Sequence, residues 1–169
     1  MAEPLRGFRW VRNDSGGQPV IQKLRLYPGT TAYRGSVVSR VVAATAGSAE
    51  VRLSVATNTS LLGFMLHSYT TTATETQADV EVCLFTLDGV YAALGGKSTM
   101  TTNARTFYGD SADLKLPTAA YGRIDTAASI NHFHIVAWPD ATDNATGAGR
   151  EWYLKVVPTA LQYAVSEAG

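Results

Sequence analysis

The chain has 169 residues, with 14 Lys+Arg against 14 Asp+Glu and a formal net charge of +0. That balance argues against a dedicated nucleic-acid binder, whose domain is normally strongly basic. The length suits one domain, or one domain with an arm, and a core large enough to fold without a disulfide or metal staple. Charged residues are 17% of the chain, below the roughly 25% of typical domains. Thr, Ser, Ala and Gly fill the difference, and so weakly charged an exterior suits a surface covered by neighbours and a chain that self-associates.

Cys83 is the single cysteine, so no intramolecular disulfide forms. The first ten residues hold no apolar stretch of signal-peptide length, and no run approaches the ~18 apolar residues of a membrane span. A soluble protein made in a reducing compartment, with no membrane partner, is the expectation.

In chain order, the first forty residues are the basic part: Arg6, Arg9, Arg12, Lys23, Arg25, Arg34 and Arg40 face only Glu3 and Asp14. Asn13-Asp14-Ser15-Gly16-Gly17-Gln18-Pro19 has the composition of a loop. Residues 1–18 therefore read as an extended arm carrying Arg6, Phe8, Arg9, Trp10 and Arg12, with Phe8 and Trp10 suited to a docked segment. A β domain is expected over 19–158 and a tail over 159–169.

After Pro19 the pattern is period-two alternation in short bursts, the signal of half-buried strands. Val51, Leu53 and Val55 alternate with polar or small neighbours, as do Val80, Val82 and Leu84. Phe133, Ile135 and Ala137 oppose His132, His134 and Val136, and Trp152, Leu154 and Val156 oppose Tyr153, Lys155 and Val157. Runs 20–27, 36–43, 60–69 and 90–94 read as further strands. Asp88-Gly89 between two apolar runs is the strongest hairpin signal. The best helical candidate, residues 126–131, is as short as a turn. The 20 threonines favour strands, since branching at Cβ restricts χ1 in a helix. The fold class is all-β: a single β-sandwich or barrel-like domain with an N-terminal arm.

No convincing catalytic constellation emerges. Gly109-Asp110-Ser111 has the letters of a serine-esterase nucleophile motif but lies mid-chain in an all-β pattern, so it reads as a polar turn. His132 and His134, at i and i+2, would point to one strand face and supply half of a zinc site. With no further ligand at a recognisable spacing, they read as a solvated or interfacial pair. Glu75, Asp79, Glu81 and Asp88 read as solvated strand and turn residues, although carboxylates paired only by the fold would escape a sequence search. Gly95-Gly96-Lys97-Ser98 lacks the rest of a phosphate loop. Neither a catalytic residue, nor a metal, nor a cofactor is expected.

The order of segments resembles that of small β-rich capsid decoration proteins of tailed bacteriophages, also called cement or head-stabilisation proteins. The pieces are Tyr33-Arg34-Gly35-Ser36-Val37-Val38, Leu61-Leu62-Gly63-Phe64-Met65, Ala78-Asp79-Val80-Glu81-Val82, Gly109-Asp110-Ser111-Ala112-Asp113, Phe133-His134-Ile135-Val136-Ala137 and Trp152-Tyr153-Leu154-Lys155-Val156-Val157. They span most of residues 30–157. Where many such proteins carry an acidic residue after the Tyr-x-Gly pattern, this chain has Ser36.

The resemblance implies a virion structural protein, made in the bacterial cytoplasm, that binds the outside of an assembled capsid and bridges neighbouring major capsid subunits. It implies a homo-oligomer, a trimer ahead of a dimer. Arg6, Phe8, Arg9, Trp10 and Arg12 are the first candidates for capsid contact, because aromatic and Arg residues anchor interfaces. On this view, truncation before Gly16 weakens attachment without unfolding the domain. Two other readings compete. One is a tail or fibre module that binds carbohydrate or another receptor, with exposed Tyr91, Tyr108, Tyr121, Trp138, Trp152 and Tyr153 available to stack on sugars. The other is a β-sandwich enzyme whose carboxylates converge only in space.

Overall fold

The alternating bursts become thirteen strands among the described residues, which in this computed structural model are 7–41, 50–56, 58–74, 77–95, 107, 109–115, 123–126, 130–137 and 150–161. No α-helix occurs among them. Of the helical candidate at 126–131, residues 127–129 lie outside the described set.

Five strands close a first barrel: β2 (Ile21–Leu26), β4 (Val37–Arg40), β5 (Glu50–Leu53), β6 (Gly63–Met65) and β8 (Gln77–Leu84), in the circuit β2-β5-β4-β6-β8. Its interior is filled by Leu24, Leu26, Ala32, Val38, Val51, Leu62, Met65, Val80 and Val82. A short pair, β3 (Thr31–Ala32) with β7 (Tyr69–Thr70), brings buried Ala32 and partly buried Tyr69 to that core.

A second sheet holds β1 (Arg9–Asn13), β9 (Gly89–Gly95), β10 (Ser111–Lys115), β11 (Arg123–Asp125), β12 (Phe133–Ala137) and β13 (Glu151–Val156), in the order β1-β9-β11-β10-β12-β13. An additional β9–β13 pairing closes the last five into a second circuit and leaves β1 as an attached outer strand. The expected all-β, barrel-like class is what forms.

The two barrels share a wall. Along β4, β6 and β8, neighbouring residues bury opposite faces. Val38, Met65 and Val82 fill the first barrel, while the row Val37–Phe64–Cys83 points into the larger core. Strands buried on both sides lose their alternation and read as continuous apolar runs, which is the look of 61–66 in the sequence. Phe85 sits at the centre of the wall. Its ring lies 5.8 Å from Phe64, 4.9 Å from Tyr91, 5.8 Å from Phe133 and 5.8 Å from Phe8.

The expected hairpin at Asp88-Gly89 does not form, because β8 and β9 belong to different sheets. The turn instead hands the chain from one barrel to the other. The Tyr91 hydroxyl braces it, accepting the Thr86 N–H at 2.8 Å and donating to the Leu84 carbonyl at 3.2 Å. Glycine is required at 89 because a Cβ there would stand 2.1 Å from that hydroxyl oxygen.

The arm reading also changes. Residues 9–13 are β1, paired antiparallel to β9, and Phe8 is 3% exposed in the larger core, 5.2 Å from Phe133. The Phe8 N–H donates to the Gly35 carbonyl at 2.8 Å. That crossing needs two glycines in contact: a Cβ on Gly7 would come within 2.4 Å of the Gly35 oxygen, and Gly35 has φ +84°. At the other end, Ala160 is buried and Leu161 bridges to Leu61, so the domain runs past the expected boundary at 158.

Segment 7–13 is therefore part of the folded unit. Phe8→Ala should cost about 3–5 kcal/mol of unfolding free energy, the usual range for an excised core phenylalanine, as read by urea denaturation. A loss below about 1 kcal/mol would mean a segment that detaches without consequence.

Candidate interaction surface

The five arm residues singled out from the sequence separate. Phe8 is interior and presents nothing to a partner. Arg6 lies outside the described residues. Trp10 is half-buried against the larger core, with its indole N–H donating to Asn13 Oδ1 at 3.1 Å. Arg9 and Arg12 are exposed, on the outer face of the second sheet.

That face is organised by small residues on β9. Ala92 stands between Arg9 on β1 and Tyr153 on β13, so the Arg9 side chain passes over a methyl group to reach across two strands. Its guanidinium grips Glu151 through both Nε, 3.0 Å from Oε2, and Nη2. This hydrogen bonding holds the Arg9 proton more firmly than usual. Asp14, just past β1, pairs with Lys155 and lies 3.5 Å from Arg12. The hydrogen bond from Lys155 is the main cause that lowers the Asp14 carboxyl below its ordinary value. The loop is pinned further where Ser15 N–H and Oγ–H both donate to Asp88.

Among the described residues β1 pairs only with β9, so its outer edge carries unpaired backbone groups. A register shift between Trp10 and Arg12 leaves Val11 bulged. Bulges and cations at an edge discourage indiscriminate strand pairing.

An apolar group missed from the sequence lies nearby. Val20, Ile21 and Leu87 are 48%, 50% and 49% exposed. Three residues before Leu87 the Leu84 N–H donates to the Val20 carbonyl, and just after it the Asp88 carbonyl accepts the Asp14 N–H. Ile21 extends the Val37–Phe64–Cys83 row outward. Two adjacent apolar residues entering a half-buried strand, Val20-Ile21, were the available signal, since one of the pair must face out.

His132 and His134 do not share a face: Asn131 at φ +63° turns the chain before β12, leaving His132 0% exposed and His134 exposed. Gly109-Asp110 is a turn into β10, with Gly109 at φ +85°. Glu81 pairs with His67 at 2.9 Å, Asp79 is exposed at φ +58°, and Glu75 lies outside the described residues. No group of three or more His, Cys, Asp or Glu positioned for a metal occurs among the described residues. Cys83 is buried, which pushes its thiol up to about 12. Of the aromatics considered for sugar stacking, Tyr91 and Trp152 are core residues. Tyr153 is half-buried, and Tyr108, Tyr121 and Trp138 lie outside the described residues. Among the described residues, no helix is long and apolar enough to cross a membrane.

No protein-family model matches this chain, and no curated protein matches it.

The Asp14–Lys155 contact gives a titration with a definite sign. A carboxyl depressed on folding adds stability above its unfolded value near 3.9, and that stability fades as pH falls through the lower folded value. Carboxyl-carbon NMR should place the wild-type Asp14 midpoint below 3.8, with Lys155→Met moving it upward. An unchanged midpoint in the variant would remove Lys155 as the cause.

Proposed function

We propose that the chain is a virion structural protein that binds the outer surface of an assembled tailed-phage capsid and stabilises it by bridging neighbouring major capsid subunits. The observation that carries this reading is a β1 strand that pairs only with β9 among the described residues and carries exposed Arg12, in a molecule that also exposes the apolar Val20, Ile21 and Leu87. An exposed cation and apolar anchors make the composition of an interface core with its rim. The edge can add backbone hydrogen bonds to a partner's sheet.

The resemblance to decoration proteins supports the same reading. Its six segments fall in order on the turn into β4, on β6, on β8, on the turn into β10, on β12 and on β13. Ser36 stands at the point of departure, buried, with its hydroxyl oxygen accepting the Tyr33 N–H at 3.0 Å. A carboxylate there would enter a site with no water to solvate it.

The contact set changes accordingly. Arg9, Trp10 and Arg12 stay as contact residues beside Arg6, which lies outside the described residues; Phe8 drops out, and Val20, Ile21 and Leu87 join. Binding only the assembled shell stabilises it by linkage, and a small gain per copy is multiplied over many symmetric sites. The protein acts as a homo-oligomer, a trimer ahead of a dimer, without catalysis or a cofactor.

Mass spectrometry of gradient-purified virions, scaled to the major capsid protein, tests the role. The reading expects a ratio within a few-fold of unity. A ratio of a few per cent would instead support a tail or fibre part, and absence from the virion would overturn both. On purified shells, the double variant Arg12→Glu, Leu87→Ser should bind about tenfold or more weakly, as hot-spot residues do, while melting like wild type.

A further inference from the structure

We draw no further inference here: the strongest candidate, the surface patch at β2 and β5 of the first barrel where Tyr27 is 42% exposed near Arg25 and Arg52, also holds Glu50 opposite Arg25, so its charge selects no partner, and nothing in the structure shows what covers it.

Discussion

The Phe85 ring, sealed at 0% exposure, is the contact on which the rest of the molecule depends. It lies where the chain leaves β8 for β9, and it touches an aromatic from each quarter: Phe64 from the first barrel, Tyr91 and Phe133 from the second, and Phe8 from the N-terminal segment. Three of these pairs, with Tyr91, Phe133 and Phe8, are edge-to-face and add to the area term alone. Because β4, β6 and β8 bury both faces, neither barrel has a solvent-ready surface on the shared side. Separating them would expose Val37, Phe64, Cys83 and Phe85 together.

That constraint explains what the N-terminal segment is for. Phe8 closes the aromatic cluster, and the Gly7–Gly35 contact locks its entry over the first barrel. β1 then lies along β9, held by Arg9 on Glu151 and by Asp14 on Lys155. The segment is a clasp over both barrels, and among the described residues its strand pairs with β9 alone. Buried and exposed positions alternate along it, with Phe8 in the core and Arg12 in solvent.

Strand positions were legible because period-two burial leaves its mark on the sequence: Val80, Val82, Trp152, Leu154 and Val156 all point inward as their alternation requires. The shared wall was not, since a run such as Leu61-Leu62-Gly63-Phe64-Met65 tells that both faces are buried but not against what. The Asp88-Gly89 hairpin failed for a related reason. A turn signal marks a reversal and says nothing about which sheet receives the next strand, and here the tyrosine two residues on decided both the glycine and the route. His132 escaped because a left-handed residue just before it broke the strand geometry that the i, i+2 spacing assumed. In the candidate surface, Arg9, Trp10 and Arg12 were visible by type. Leu87 was not, since a lone leucine in a turn carries no periodic signature.

Through the shared wall the two barrels form one cooperative unit. Differential scanning calorimetry of the full chain tests it most directly. A single transition with a calorimetric to van't Hoff enthalpy ratio of about one is the expected result for one unit. Two resolved transitions, or a ratio near two, would show barrels that unfold independently and would contradict the account.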